Sequence, residues 1–87
     1  LPGWDQMPDQ GPLIFRVSMD ADEEQAAFFP GFDCVWFVLE GALEVNATTK
    51  VAGGEFFCAD ADVNYSLKAS TEGAHWLVFS SRSLQPL

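Results

Sequence analysis

Residues 34–40, with the sequence CVWFVLE, most constrain what this chain can fold into. Side chains alternate between the two sides of an extended strand. Both sides of this strand are apolar: Cys34, Trp36 and Val38 on one, and Val35, Phe37 and Leu39 on the other. Such a strand must be covered on both faces. In a chain of 87 residues, a barrel interior covers one face, and a second sheet or another subunit covers the other.

The composition supports one globular domain with an aromatic core. The chain has 87 residues, of which 48% are hydrophobic and 14% aromatic, including eight Phe and three Trp. This length leaves no room for a second domain. Thirteen Asp and Glu face only four Lys and Arg, giving a net charge of −9. Because binding to nucleic acid requires a basic face, a nucleic-acid partner is not expected.

The remaining pattern predicts six or seven short strands with almost no helix. Runs with strand-like spacing are LIFRVSM, CVWFVLE, ALEVNATTKV, EFFCA, VNYSLKA and AHWLVFSS. Turn-forming residues separate them at 46–49, 53–54, 60–62 and 70–73. The polar run DADEEQ (20–25) is read as a short helix or a solvated loop. Together these elements predict an all-β antiparallel barrel or sandwich.

The domain limits follow from the same pattern. Three Pro and two Gly in residues 1–12 predict an irregular N-terminal arm, in which Trp4 and Met7 are expected to rest on a surface groove. The barrel is predicted over residues 13–82, and residues 83–87 form a C-terminal tail. No run of about 18 apolar residues predicts a membrane helix. Cytoplasmic location is the default expectation, with N-terminal processing left open because the chain starts with Leu1.

Three segments together resemble the cupins, a family of small jelly-roll barrels. They are FVLEG (37–41) with the strand that follows it, the turn AGGE (52–55), and the closing strand HWLVF (75–79). The resemblance covers residues 13–80 approximately. It implies a small antiparallel jelly-roll β-barrel of about 6–8 strands. It also implies a site on the inner wall of the barrel, where the family holds its metal.

The metal-ligand positions of the family carry unsuitable residues in this chain. Alignment of the family's two motifs on Gly41 and Gly54 places them at Phe28, Pro30, Cys34 and Tyr65, or at Ala27 and Phe29 instead of the first two with the longer spacing. None of these residues is a His or a carboxylate. One thiolate and one phenol are not a ligand set that suits Fe, Mn, Zn or Ni. No metal and no cofactor are therefore expected.

The same alignment predicts which side chains line the barrel. The residues expected to face the interior are Phe28, Cys34, Trp36, Val38, Tyr65 and Leu67, with His75 or Trp76 from the last strand, depending on register. Such an apolar, aromatic lining is typical of a site for a small molecule. The alternative is a barrel that these side chains fill completely.

Three functional hypotheses follow. The leading one is a metal-free, non-catalytic domain that binds a small apolar or aromatic molecule. A second is a metal-independent isomerase, epimerase or lyase in which His75 and Tyr65 act as base and acid, which requires both to face one ligand. In the third, the outward apolar face of Val35, Phe37 and Leu39 forms a protein interface, with a homodimer as the expected assembly.

The cysteines and two local motifs carry weaker signals. Cys34 and Cys58 lie in apolar runs and are expected to be buried free thiols, with a disulfide as the alternative. Asp60 and Asp62 belong to an acidic turn and are expected to be solvated rather than catalytic. The run NATT (46–49) matches a glycosylation acceptor, which has meaning only in a secreted protein.

Overall fold

The computed structural model describes residues 13–80, and these residues form strands and turns without any helix. The strands, all paired antiparallel, are β1 (Leu13–Met19), β2 (Glu24–Phe28), β3 (Cys34–Val45), β4 (Thr49–Ala52), β5 (Phe56–Ala59) and β6 (Tyr65–Ser80). The predicted all-β antiparallel class is confirmed. Within this part of the chain there is no helix that could span a bilayer.

Two long strands, β3 and β6, organise the fold. They pair along nearly their whole lengths, from Val35 opposite Phe79 to Val45 opposite Leu67. The first half of β3 also pairs with β5, and its second half pairs with β4. Likewise β2 pairs with the first half of β6, and β1 with the second half. The result is two four-stranded sheets with shared strands: sheet one, β1-β6-β3-β5, and sheet two, β2-β6-β3-β4.

The two sheets face each other because β3 and β6 bend at the same level. The pairing register shifts on both sides of Gly41, between Val38 and Glu40 and again before Leu43. Bulges of this kind bend a strand and increase its twist. Gly41 and Gly73 have φ angles of +72° and +81°. The backbone also passes so close at this bend that a Cβ on Gly41 would fall on the carbonyl oxygen of Gly73.

The core lies between the sheets. The largest side chains that are fully buried are Trp36, Trp76, Leu43, Val17, Val38, Val45 and Val78. On the first half of β3, burial follows the predicted alternation, with Cys34, Trp36 and Val38 inside. Beyond the bend Ala42, Leu43 and Val45 are buried, and from Leu43 onward the inward positions are odd-numbered.

Two of the predicted local structures are wrong. Residues 70–73 were expected to form a turn, but they lie within β6, a continuous strand of 16 residues. The Ser, Thr and Gly of this segment mark a bend within a strand instead of a reversal. The run 20–25 is neither a helix nor only a loop, because β2 starts at Glu24 after a turn at 21–22. The predicted turns at 46–49 and 53–54 do connect strands.

The predicted N-terminal arm and C-terminal tail lie outside the described residues. So do Trp4, Met7 and the predicted end of the barrel at residue 82. Within the described range, the barrel extends from β1 to the last residue of β6.

Candidate binding site in the barrel

An aromatic cluster occupies the interior at the end of the barrel that is opposite the bend. The ring of Trp36 on β3 lies at its centre, with centroid distances of 6.3 Å to Phe28, 5.6 Å to Phe57, 5.7 Å to Tyr65 and 6.1 Å to Trp76. The neighbours come from β2, β5 and β6, so both sheets contribute. Such aromatic pairs add about 0.5–1.5 kcal/mol each beyond the area that they bury.

Three of the four family ligand positions converge on this cluster. Phe28 is opposite Tyr65 in the pairing of β2 with β6. The Sγ atom of Cys34 accepts a hydrogen bond from Nε1 of Trp36 at 3.2 Å. The fourth position, Pro30, is buried in the loop after β2. The alignment thus places three of its four positions at one end of the barrel, and their role in binding a ligand stays a prediction.

The donor atoms at these positions do not suit a metal. Phe28 and Pro30 offer no side-chain ligand, and a neutral thiol and a phenol are poor partners for a divalent ion. Within residues 13–80, no group of three or more His, Cys, Asp or Glu side chains is placed to hold a metal ion. No metal-dependent step can be derived from these residues.

The thiol of Cys34 is held in its neutral form. Burial raises its pKa from the ordinary 9.0 to about 11, and the hydrogen bond from Trp36 offsets only part of this rise. Because the thiolate is the nucleophilic form, Cys34 is a poor nucleophile. Both cysteines are free, and Cys58 is exposed on the opposite face of the wall, contrary to the expectation that both are buried.

We predict that the free energy of unfolding falls as the pH rises from about 9 to about 11. Below pH 9 the Cys34 thiol is protonated in both the folded and the unfolded chain, so its contribution to the free energy of unfolding is fully present. Within the range the unfolded chain loses the proton while the folded chain retains it, which favours unfolding. Urea unfolding at several pH values, compared with Cys34→Ala, measures the effect.

The difference between the wild type and Cys34→Ala isolates this thiol from other groups that titrate in the same range. Cys58→Ala is the matched control. It is expected to retain most of the wild-type pH dependence, because burial is the main cause of the raised pKa of Cys34 and the charge of Cys58 is the smallest. A difference between the wild type and Cys34→Ala that stays constant from pH 8 to pH 11 contradicts the assignment.

Within residues 13–80, one buried side-chain nitrogen has no hydrogen-bond partner. Nε1 of Trp76 is buried and makes no hydrogen bond within the described part of the chain. Trp76 itself is 0% exposed. An unsatisfied buried donor costs about 1–3 kcal/mol, and such groups are rare in native structures. The indole N–H of Trp76 is therefore a buried donor without an acceptor among residues 13–80.

Two loops close the barrel at the end that holds the aromatic cluster. Gly31 N–H donates to the carbonyl oxygen of Ala61 at 3.3 Å, and Ala61 N–H donates to Oδ1 of Asp33 at 2.9 Å. The Ser80 hydroxyl donates to the carbonyl oxygen of Asp33 at 3.0 Å. Phe32, between these contacts, is buried. A molecule entering from this end must separate residues 29–33 from residues 60–64.

His75 does not face this interior. It lies between Ala74 and Trp76, both of which are buried, so its side chain projects to the outer side of the wall. There it lines a groove with Ser18 and Glu40, its neighbours across the sheet. Of the two alternatives for the last strand, the structure places Trp76 inside. His75 and Tyr65 are on opposite sides of the wall, and the acid–base pair required by the isomerase hypothesis is not formed.

The other predicted lining residues are inside, and sequence reasoning missed one. Val38 and Leu67 are buried, as expected from their alternation. Phe57 was not among the predicted lining residues, yet it is opposite Trp36 in the pairing of β3 with β5 and contacts the cluster. Its position in EFFCA, between Phe56 and Cys58, gave no polar alternation that would have indicated its side.

Comparisons with known proteins identify the fold. No family model and no curated protein matches the sequence. Among solved structures, a chain in the crystal structure of Rhodobacter sphaeroides SigE in complex with the anti-sigma ChrR matches with a TM-score of 0.72 at 14% identity, over 84% of this chain and 40% of that one. A conserved Streptococcus pyogenes protein of unknown function matches with a TM-score of 0.72 at 24% identity, over 84% of this chain and 66% of that one.

A third match carries the family description. An RmlC-like cupin from Shewanella frigidimarina matches with a TM-score of 0.71 at 18% identity, over 90% of this chain and 75% of that one. The chain therefore has the cupin fold, and the resemblance seen in its sequence is confirmed at that level. Identities this low show the fold alone, so the activities of these proteins are not transferred.

Proposed function

We propose that this chain is a non-catalytic cupin domain that binds a small, flat, mainly apolar molecule beside Trp36 and Trp76. The observation that carries the proposal is the buried indole N–H of Trp76, which has no acceptor in the described part of the chain. A ligand with one acceptor atom would satisfy this donor, and the surrounding rings would contact the rest of the ligand.

The chemistry of the interior favours a neutral ligand. Among residues 13–80, no Lys, Arg, His, Asp or Glu residue is buried. A charged group placed there would lose its hydration without gaining a partner, which is costly. A carbonyl, ether or ring nitrogen is the acceptor that fits. The partly exposed Phe28 and Phe57 border the cluster, and their side chains are the ones that must turn aside to admit a ligand.

The absence of a formed catalytic pair supports a binding role over a reaction. His75 lies on the outer side of the wall, away from Tyr65. The hydroxyl oxygen of Tyr65 already accepts a hydrogen bond from the backbone N–H of Asp60 at 2.8 Å. Burial raises the pKa of the Cys34 thiol to about 11, so its nucleophilic thiolate is scarcer still than that of an ordinary thiol.

The proposal predicts that acetophenone binds about 10-fold more tightly than ethylbenzene, a molecule of similar size that lacks the acceptor. NMR of the ¹⁵N-labelled protein measures both affinities. On binding of acetophenone, the indole proton of Trp76 is expected to shift downfield, as it does when a hydrogen bond forms. The signal is assigned by its disappearance in Trp76→Phe.

Trp76→Phe is also the control for the preference, because it keeps an aromatic ring and removes the N–H. We expect this variant, checked for folding by near-ultraviolet circular dichroism, to bind the two compounds equally. Equal affinities in the wild type, or a Trp76 signal that neither compound moves at saturation, would argue against the proposal.

A further inference from the structure

We infer that residues 60–64 act as a flap that opens the aromatic end of the barrel, with Asp33 as its latch. The flap runs from the end of β5 in sheet one to the start of β6 in sheet two. Within residues 13–80, β5 pairs with β3 alone, so no ladder of backbone hydrogen bonds fixes this crossing. The role of the flap as an entrance rests on the proposed binding of a ligand in the barrel, whereas its opening does not.

The side chains of the flap contribute little to the core. None of its five residues is buried: they are Asp60, Ala61, Asp62, Val63 and Asn64. The facing loop, residues 29–33, is anchored by Pro30 and Phe32, which are both buried. A segment with few buried apolar contacts and with solvent-exposed hydrogen bonds opens at a low cost in free energy. Of the two loops at this end, the flap is therefore the one that moves.

The contacts between the two loops centre on the backbone of Ala61. Its N–H donates to Oδ1 of Asp33 at 2.9 Å, and its carbonyl oxygen accepts from Gly31 N–H at 3.3 Å. Asp33 is itself held in place, because its carbonyl oxygen accepts a hydrogen bond from the Ser80 hydroxyl at 3.0 Å. A hydrogen bond to a carboxylate is shorter and stronger than one between neutral groups. The Asp33 side chain is thus the stronger of the two contacts that the facing loop makes with Ala61.

Both ends of the flap are attached to the aromatic cluster. Phe57 lies just before the flap on β5 and Tyr65 follows it on β6, and their rings meet edge to face at a centroid distance of 5.5 Å. The Tyr65 hydroxyl also accepts a hydrogen bond from the backbone N–H of Asp60 at 2.8 Å. Both rings contact Trp36. An outward displacement of the flap therefore uncovers the rings that border the proposed binding site.

A latch differs from a ligand contact in its effect on binding kinetics. The hydrogen bond from Ala61 to Asp33 involves no ligand atom, so its loss favours opening equally in the empty and the filled barrel. The association and dissociation rates should then rise by the same factor, and the dissociation constant should stay the same. Loss of a side chain that contacts the ligand changes the dissociation constant, mainly through the dissociation rate.

Asp33→Ala in the full chain tests the latch without any ligand. We expect deuterium exchange of the Trp76 indole N–H, followed by NMR, to accelerate about fivefold, which corresponds to the loss of one ordinary hydrogen bond. Opening of the flap exposes little surface, so this exchange rate should stay constant up to about 1 M urea. Exchange through global unfolding would accelerate with urea instead.

Acetophenone tests the role of the flap as an entrance. In Asp33→Ala we expect its association and dissociation rates each to rise about fivefold, with the dissociation constant unchanged. Asp33→Asn keeps an acceptor oxygen and should restore exchange rates close to those of the wild type. Asp62→Ala is the matched control, because it removes an exposed carboxylate from the flap that makes no hydrogen bond or ion pair within residues 13–80. Its rates are expected to equal those of the wild type.

Three results would overturn the inference. One is a wild-type rate of Trp76 indole exchange in Asp33→Ala. Another is an equal acceleration in Asp62→Ala, which would assign the effect to charge alone. The third is a weaker affinity of Asp33→Ala for acetophenone without faster exchange, which would make Asp33 a ligand contact. If acetophenone does not bind to the wild type, the proposed function fails, and the indole exchange still decides whether the flap opens. Asp33 is exposed, so its replacement is not expected to unfold the domain, and a native circular dichroism spectrum verifies this.

Discussion

Replacement of Gly41 by alanine is expected to prevent the chain from forming the barrel. A Cβ at this position would fall on the backbone carbonyl oxygen of Gly73, which cannot move aside as a flexible side chain can. The backbone is also close on the other side of Gly73, where an added Cβ would lie 2.8 Å from the carbonyl oxygen of Met19. The positive φ adds about 1–2 kcal/mol for a residue with a side chain. Total stabilities of small domains are about 5–15 kcal/mol.

Loss of cooperative thermal unfolding and of the near-ultraviolet circular dichroism signal measures this effect. Gly54→Ala is the matched control, since Gly54 has a φ of +87° but no atom within 4 Å of its Cβ position. This variant is expected to fold and to lose only about 1–2 kcal/mol. If Gly41→Ala and Gly54→Ala are equally stable, the close approach at the bend is not what the domain depends on.

Trp36→Ala is expected to lower the free energy of unfolding by about 3–5 kcal/mol. Trp36 is fully buried, and its ring contacts four other aromatic rings from both sheets. Removal of the indole leaves a cavity that neighbouring strands can fill only in part, because each of them is fixed by its own pairing. Urea denaturation, with the midpoint and slope fitted together, measures the loss.

Two further variants separate the contributions at this site. Trp36→Phe keeps an aromatic ring but removes the hydrogen bond to Cys34, and it should lose less than the alanine variant. Val63→Ala changes an exposed apolar residue outside the core and is expected to stay within about 0.5 kcal/mol of the wild type. A loss below about 1 kcal/mol for Trp36→Ala contradicts the central position of this residue.

The sequence predicted the class of fold because the signals that define it are local. The doubly apolar run 34–40 required cover on both sides, and FVLEG with AGGE resembled the right family. β2 was not predicted from the sequence. It pairs only with β6 and its residues are mainly exposed, so its sequence shows no apolar alternation. The sequence did not predict β6 as one continuous strand, because Ser, Thr and Gly at 70–73 favour a reversal of the chain as strongly as a bend within a strand.

The candidate site was predictable only as far as the bend. Alternation correctly placed Trp36 and Tyr65 in the barrel. Beyond residues 70–73 the inward side of β6 changes from odd to even numbers, so Trp76 points inward and His75 outward. This change depends on bulges formed through contact with other strands. A pattern of residue types along one strand does not contain that information, and the two alternatives for the last strand could not be separated.

The shared strands also determine how the domain must come together. Neither four-stranded sheet can be completed by itself, since each one needs half of β3 and half of β6, and those halves are distant in the chain. Their pairing closes a long loop before most of the other contacts can form, which is typical of slowly folding topologies. It also joins the two sheets into one cooperative unit. Opening either sheet along β3 or β6 removes the edge on which the other is built, so the domain has no half that can persist alone.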